Sequence, residues 1–156
     1  MQQSPRKFWE VWGRSDALYN RWAAAHGVNN YRLFVLYVLD NHPGATQKAI
    51  ADHAGLPKQT VNTVVRALRD EGYVTLSPAS GDRREKNASL TPAGQTYARA
   101  LLEPLYALED TVFARMGDAR VQEMMDAIAL FNMIFEKETE MTVSYTHLTL
   151  PTNSLV

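Results

Sequence analysis

The residues between Lys58 and Arg66 could recognise a nucleic acid. At helical spacing, one face combines amides, a hydroxyl and positive charge, and its members are Lys58, Gln59, Asn62, Thr63 and Arg66. Amides and hydroxyls can bind base edges, and cations can meet phosphates. Val61, Val64, Val65 and Leu68 follow the spacing i, i+3, i+4, i+7 and share the opposite, apolar face. The alternative is an ordinary surface helix with a solvated polar side. The segments before and after the helix distinguish between these two interpretations.

Other kinds of chemistry lack the residues they need. The chain has no cysteine, which excludes disulfides and zinc–thiolate sites within it. It has no glycine-rich phosphate loop and no Gly-x-Ser-x-Gly elbow. His26, His42 and His53 do not have the spacing of a metal site on one helix. We therefore predict a protein that is not an enzyme and that needs no metal or cofactor.

The charge distribution agrees with a nucleic-acid face in the first part of the chain. Residues 1–41 carry five cations and three anions, residues 42–91 carry seven and five, and residues 92–142 carry four and nine. The first 91 residues are thus mildly basic, and the helices after them are acidic. No stretch reaches the roughly 20 apolar residues that span a bilayer, and the N-terminus does not resemble a signal peptide. We expect a cytoplasmic protein without a membrane partner.

Two predicted helices precede the polar face and would support it. Residues 31–40 are apolar enough for a strand or a buried helix, and the flanking caps and stop signals favour a helix. Thr46 is predicted to cap a short helix over residues 47–53, and Gly55 permits the turn that follows. Pro57 would then occupy the first position of the helix that carries the polar face. This is the pattern of a helix-turn-helix, whose second helix enters the major groove.

A small β-hairpin is predicted directly after that helix. Gly72 ends the helix, residues 73–76 alternate as a strand, residues 77–84 supply loop residues, and residues 86–90 form a second strand. A hairpin in this position is a wing. The predicted fold is mainly α with a small β-hairpin (α+β), and residues 27–91 form a winged helix-turn-helix domain.

Long helices are predicted on both sides of this domain. Residues 6–26 form an aromatic-rich helix, and Thr91 caps a helix to about residue 116, which Pro104 should kink or interrupt. The next helix starts near Arg120 and is apolar over more than one face, as is typical of a helix buried between neighbours.

The segment from Asp82 to Gly94 resembles the wing signature of the multiple-antibiotic-resistance regulator (MarR) family. In that signature an Asp precedes an Arg by two positions, and Leu-Thr-x-x-Gly follows. The matching positions are Asp82, Arg84, Leu90, Thr91 and Gly94, with further matches upstream at Gln47, Leu56, Thr60, Val61, Leu68, Glu71, Gly72, Tyr73 and Val74. The resemblance covers about residues 6 to 140.

The resemblance implies a role in DNA binding for specific residues. Arg84 would enter the minor groove, and Asp82 could hold its guanidinium by a bidentate bond. A functionless surface ion pair, worth ~0–1 kcal/mol, is the alternative. Arg83 and Lys86 are candidates for phosphate contacts, and Thr60 is a candidate near the helix start. The five residues of the polar face named at the outset are the candidates for the major groove.

The resemblance also implies an assembly and a ligand. It implies a homodimer in which residues 1–26 and 92–142 form the dimerisation region. The partners would be double-stranded DNA with a pseudo-palindromic operator and a small aromatic or amphipathic effector that releases it. Aromatic density suggests an effector pocket near Trp12, Tyr19, Trp22 and Tyr37. Packing of the aromatic residues of the first helix against the rest of the chain and a second subunit is the alternative. We predict a transcriptional regulator, with repression as the expected effect; a winged-helix adaptor for protein contacts without DNA binding is the alternative.

Residues 143–156 differ in composition from the rest of the chain. They contain no charged residue, are rich in threonine and lack helical periodicity. The segment resembles a translated sequencing adaptor, so we interpret it as a non-native tail and expect the native C-terminus to be missing. A natural disordered tail is the alternative.

Overall fold

The computed structural model describes residues 5–79 and 82–148, with side chains for residues 7–79 and 86–141. In chain order the elements are α1 (Pro5–Ala25), α2 (Asn30–Asn41), β1 (Ala45–Thr46), α3 (Gln47–Ala54), α4 (Lys58–Asp70), β2 (Val74–Ala79), β3 (Asp82–Leu90), α5 (Pro92–Met116) and α6 (Asp118–Leu148). The chain forms two compact units, Met1–Tyr106 and Ala107–Val156. The first unit contains the sheet, α1 to α4 and the start of α5. The predicted dimerisation region stays a prediction.

One face of α4 packs against the apolar core of the first unit. Val61, Val65 and Leu68 have no exposed surface, and Val64 packs half-buried against the same core, which confirms the predicted inner face. The other large side chains with at most 2% exposure are Leu33, Val35, Leu36, Leu39, Ile50, Val74, Leu102 and Leu105. Because burial of apolar surface fixes this face inward, the polar face of α4 is turned to solvent.

The helices next to α4 begin and end at the capping and turn residues that the sequence predicted. Residues 30–41 form a helix, not a strand, and the side chain of Asn29 caps it by accepting the N–H of Arg32 at 2.8 Å. Thr46 caps α3 in the same way at 3.1 Å. Gly55 ends α3 with a left-handed φ of 62°. Pro57 is the N-cap of α4 rather than its first residue, so α4 begins one residue later than predicted.

The sheet has three antiparallel strands in the order β1-β3-β2, whereas the sequence predicted a two-stranded hairpin. The additional strand contains only Ala45 and Thr46, which pair with Ala88 and Asn87. The Gly44 N–H donates to the carbonyl of Ala88 at 3.1 Å and extends this pairing. A strand of two residues is too short to show an alternation of apolar and polar side chains in the sequence. β1 is recognised only from its pairing with a strand some 40 residues later in the chain.

The hairpin strands are longer than predicted. Residues 77–84 were expected to form a loop, but β2 continues to Ala79 and β3 begins at Asp82. Pro78 lies opposite Lys86, next to an irregularity in the register. Proline is tolerated there because β2 is an edge strand. The prediction of an eight-residue loop was therefore wrong, and residues 82–84 belong to β3.

Thr91 caps α5 as predicted, because its hydroxyl accepts the N–H of Gly94 at 3.0 Å. Pro104 does not interrupt the helix, which runs from Pro92 to Met116. A proline removes one intrahelical hydrogen bond, and packing can sustain a helix through that loss. Leu101, Leu102 and Leu105 beside Pro104 are buried. Of the two predicted effects of Pro104, the interruption is wrong and the kink stays a prediction.

α6 forms the greater part of the second unit. It follows Gly117, whose φ is 84°, and extends through residues 143–148, which the sequence had excluded from the fold. Residues 149–156 of the predicted non-native tail lie outside the described residues. Large apolar side chains of α6 are exposed in the single chain: Met125, Ile128, Leu130, Phe131, Met133, Ile134, Phe135 and Met141. Across the parts of the chain that are described, no helix is long and apolar enough to cross a membrane.

Candidate nucleic-acid interface

The polar face of α4 is a continuous surface on a well-supported helix. Lys58, Gln59, Thr63 and Arg66 are exposed, and Thr60 and Asn62 are half-buried. All six positions lie on one helix whose opposite side is fixed in the core. The structure therefore brings together the candidate groove residues that the sequence predicted.

The hydroxyl of Thr63 has a defined orientation. It donates to the backbone carbonyl of Gln59 at 3.0 Å, one turn earlier in α4. With its proton engaged in the helix, the oxygen can act towards a ligand only as an acceptor. On the same face, the amides of Gln59 and Asn62 can both donate and accept.

The N-terminal end of α4 favours an anion. α3 ends at Gly55, and α4 starts directly after Pro57, which makes no side-chain capping hydrogen bond. The first backbone N–H groups of a helix have no intrahelical partner and carry a partial positive charge. Lys58 lies in this first turn, and no acidic residue does. This end of α4 therefore suits the phosphate contact predicted for Thr60.

The wing places the second candidate set on one strand. The backbones of Asp82, Arg83 and Arg84 lie in β3, and Ala79 pairs with Asp82. The side chains of these three candidates lie outside those that the structure describes, so the predicted Asp82–Arg84 bond stays a prediction. Lys86, farther along β3, has an exposed side chain.

An ion pair that the sequence did not predict joins α2 to the end of α4. The guanidinium of Arg32 donates from Nη1 to Glu71 Oε1 at 2.9 Å and from Nη2 to Glu71 Oε2 at 2.5 Å. Its Nε donates to the hydroxyl of Tyr97 on α5 at 2.9 Å. The side chain of Arg32 is 18% exposed and that of Glu71 is 44% exposed. The hydrogen bonds from Arg32 lower the pKa of Glu71, and those same bonds raise the pKa of Arg32.

A second set of contacts connects the end of α4 to the start of α5. The N–H of Thr91 donates to the carbonyl of Tyr73 at 2.9 Å, and its hydroxyl donates to the carbonyl of Gly72 at 2.7 Å. A Cβ on Gly94 would overlap the carbonyl oxygen of Tyr73. The glycine that the wing signature contains is therefore needed for close packing of α5 on this turn.

No local pattern in the sequence predicts the contacts of Arg32, since 39 and 65 residues separate Arg32 from its two partners.

The four aromatic residues of the predicted effector pocket lie on α1 and α2. Trp12 is 49% exposed, whereas Tyr19, Trp22 and Tyr37 are half-buried against the core. Each of the four rings contacts a different neighbouring ring. The distances between ring centroids are 5.9 Å for Trp12 and Phe8, 6.1 Å for Tyr19 and Phe34, 3.7 Å for Trp22 and His26, and 5.2 Å for Tyr37 and Tyr106. The effector pocket stays a prediction.

Polar groups surround the ring next to Tyr37. The hydroxyl of Tyr106 donates to Asp40 Oδ2 at 2.9 Å and accepts from Asn41 Nδ2 at 3.0 Å. Burial raises the pKa of Tyr106, and the hydrogen bond to Asp40 raises it further. At neutral pH the phenol is therefore protonated and acts as a donor.

Two histidines that are 11 positions apart in the sequence come together in the fold. The rings of His42 and His53 stack with centroids 4.3 Å apart and an angle of 12° between planes. Among the described residues, no group of three or more ligating side chains could hold a metal ion.

The chain is similar to known transcriptional regulators. Residues 26–85 match the model described as MarR family. The helix-turn-helix-type transcriptional regulator YwhA of Bacillus subtilis is 30% identical over 102 residues, which cover 65% of this chain and 73% of YwhA. The helix-turn-helix-type transcriptional repressor Rv2887 of Mycobacterium tuberculosis is 32% identical over 88 residues, which cover 56% of this chain and 63% of Rv2887. The matches are to regulators and not to enzymes.

The fold also matches a solved structure over most of its length. The MarR family regulator NMB1585 of Neisseria meningitidis superposes with a TM-score of 0.80 at 28% identity. The superposition covers 88% of this chain and 96% of NMB1585. The predicted winged helix-turn-helix fold is thereby confirmed.

Proposed function

Because this chain belongs to the MarR family of DNA-binding transcriptional regulators, we propose that it acts as a homodimeric repressor. It binds a pseudo-palindromic operator, and a small aromatic or amphipathic molecule releases it. The observation that carries the proposal is the polar face of α4, which is exposed while Val61, Val65 and Leu68 fix the other side of the helix in the core.

In this proposal α4 is the recognition helix. Gln59 and Asn62 read base edges in the major groove, where amides can form paired hydrogen bonds with adenine. Lys58 and Arg66 add positive charge at exposed positions of the same face. Phosphate contacts from Thr60 and Lys86 fix the register of the protein on the duplex.

The wing supplies the contact to the minor groove. Arg84 inserts there, and Asp82 holds its guanidinium by a bidentate bond. The backbones of both residues lie on β3, which supports this arrangement by keeping them two positions apart on one strand. Arg83 contacts the backbone phosphates.

The homodimer is supported by apolar surface that a single chain leaves exposed. On α1, Phe8, Trp9 and Trp12 are 39%, 71% and 49% exposed. On α6, Phe131 and Phe135 are 43% and 63% exposed, with further apolar residues beside them. Exposed apolar surface of this extent is typical of an interaction site. We assign it to a second copy of this chain.

Aromatic side chains on α1 and α2 support a site for the effector. Tyr19, Trp22 and Tyr37 are half-buried, and the phenol of Tyr106 beside Tyr37 is a hydrogen-bond donor and acceptor. Such a combination of rings and a few polar groups is typical of pockets for aromatic ligands. A ligand that favours one separation of the two DNA-binding lobes shifts the population away from the DNA-bound form.

Selection of bound DNA from a random pool tests the proposal. We expect an inverted repeat with half-sites centred about 34–36 Å apart, because each recognition helix enters its own major groove. Affinity should fall steeply between about 50 and 200 mM salt as phosphate contacts release counterions. An enriched sequence without symmetry would contradict the homodimer, and no enrichment at low salt would contradict DNA binding and favour a protein-interaction adaptor.

A pair of matched variants tests the role of the wing. Arg84→Ala should weaken operator binding by about 10-fold or more and reduce the salt slope by about one. Arg99→Ala is the control, since it removes the same charge from an exposed position on α5. Equal losses in both variants would contradict a specific role for Arg84.

A further inference from the structure

We propose that Arg32 is a positioning residue for specific DNA binding, which holds the C-terminal end of α4 to the start of α5 through Glu71 and Tyr97. This inference rests on the proposed DNA-binding function. It assigns a role to a residue that lies on α2, outside the polar face of α4 and outside the wing.

The guanidinium of Arg32 makes three directed hydrogen bonds. Two parallel bonds reach the carboxylate of Glu71 at 2.9 and 2.5 Å, and Nε reaches the hydroxyl of Tyr97 at 2.9 Å. A bidentate pair fixes both the distance and the plane of its partners, which a lysine ammonium cannot do. One planar group therefore ties together α2, the end of α4 and α5.

The position of Glu71 indicates that its ion pair with Arg32 does more than stabilise α4. Glu71 is the C-cap residue of α4. A carboxylate there is unfavourable, because the C-terminal end of a helix carries partial negative charge. Its charge also opposes the approach of DNA phosphates. The contact with Arg32 is the feature that makes a glutamate favourable at this position.

The geometry of α4 explains why its C-terminal end must be held. α4 has 13 residues, so it is about 20 Å long. Unless the orientation of that end is fixed, a tilt of about 5° there moves Lys58 and Gln59, almost a helix length away, by about 1.7 Å. Hydrogen bonds to base edges tolerate only a few tenths of an ångström. Contacts with the flexible phosphate backbone through long cationic side chains tolerate more.

Two conservative variants with the same charge change provide the test. Glu71→Gln and Asp70→Asn each remove one negative charge from the same end of α4, but Asp70 pairs with Arg69 at 2.7 Å instead of with Arg32. We measure the affinity of each full-length variant for the selected operator and for a scrambled duplex by fluorescence anisotropy. The ratio of the two affinities is the readout, because partial unfolding would lower both equally and leave the ratio unchanged.

We expect Asp70→Asn to keep the wild-type ratio. Glu71→Gln should lower the ratio by about 10-fold, the loss of roughly one base contact, while its affinity for the scrambled duplex matches that of Asp70→Asn, which loses the same charge. Arg32→Lys should lower it similarly, although the net charge is preserved, because the bidentate geometry is lost.

Two results would overturn the inference in different ways. Wild-type ratios for both Glu71→Gln and Arg32→Lys would refute the positioning role and leave the DNA-binding proposal intact. A wild-type protein that prefers no duplex at low salt would instead refute the DNA-binding proposal, and the positioning role with it.

Discussion

The rings of Tyr73 and Tyr97 lie parallel, with centroids 4.4 Å apart and an angle of 1° between planes. Tyr73 lies in the turn after α4, and Tyr97 lies on α5. Aromatic pairs contribute about 0.5–1.5 kcal/mol beyond the area they bury. The hydroxyl of Tyr97 also accepts from Arg32, and the guanidinium of Arg32 lies 5.1 Å from the centroid of the Tyr97 ring. Substitutions can therefore separate the contribution of the hydroxyl from that of the ring.

Tyr97→Phe should destabilise the protein by about 1 kcal/mol, since it removes the hydroxyl acceptor and keeps the ring stack. Tyr97→Ala removes both contributions and should cost about 3 kcal/mol. Urea unfolding followed by circular dichroism measures both. Tyr31→Phe on α2 is the control, because Tyr31 is 46% exposed and should change little. Equal costs for the two Tyr97 variants would show that the ring stack contributes nothing.

Gly94→Ala should destabilise the protein by about 2 kcal/mol or more, although alanine is the better helix former. The added Cβ would overlap the backbone carbonyl of Tyr73, which cannot move without displacing the turn after α4. Gly13→Ala on α1 is the matched control. Beyond its chain neighbours and the backbone of its own helix, no atom lies within 4 Å of its new Cβ, so we expect a gain of about 0.5–1 kcal/mol. Thermal unfolding of both variants checks the opposite signs; a stabilising Gly94→Ala would contradict the close approach.

The ion pair of Arg32 and Glu71 should make the free energy of unfolding depend on pH in the acidic range. The hydrogen bonds from Arg32 lower the pKa of Glu71 in the folded state. The contribution of the pair is therefore complete above the ordinary glutamate pKa of about 4.3 and is lost as the pH falls through the lowered value. Wild type should exceed Glu71→Gln in unfolding free energy by about 1 kcal/mol at pH 7, because the pair is partly exposed. The difference should vanish in acid.

A double-mutant cycle separates this effect from other titrations. In an Arg32→Gln background, Glu71→Gln should change the pH dependence of the unfolding free energy far less than in wild type. A pH-dependent difference that persists without Arg32 would assign the effect to another partner of Glu71.

Phe135→Asp should convert the protein to monomers, because Phe135 is 63% exposed in the single chain and would place a charge in the proposed dimer interface. Light scattering after size exclusion measures the mass. Operator affinity should fall by about 100-fold once the two half-sites are no longer bound by linked subunits. Lys137→Gln lowers the net charge of α6 equally and serves as the control. A Phe135→Asp protein that stays dimeric would place the interface elsewhere.

The local signals of the sequence predicted most of the fold. Caps at Asn29, Thr46 and Thr91 and the left-handed turn at Gly55 act between residues a few positions apart, so their pattern is visible in the chain itself. The same is true of α4, whose apolar and polar faces follow from helical spacing alone.

The predictions failed where distant residues decide the outcome. β1 exists through its pairing with Ala88 and Asn87, and Pro104 is tolerated within α5 beside buried leucines. The hairpin strands extend into a segment whose composition is typical of a loop, because pairing across the hairpin continues past Ser77.

By itself, the sequence determined which side chains of α4 face away from the core, because helical periodicity separates them from the residues that must be buried. Only the tertiary structure decided how the end of α4 is held. Arg32, Glu71 and Tyr97 lie on separate elements, and no periodicity relates residues that meet only after the core has formed. Their contact depends on packing across the whole first unit, which local propensities do not specify.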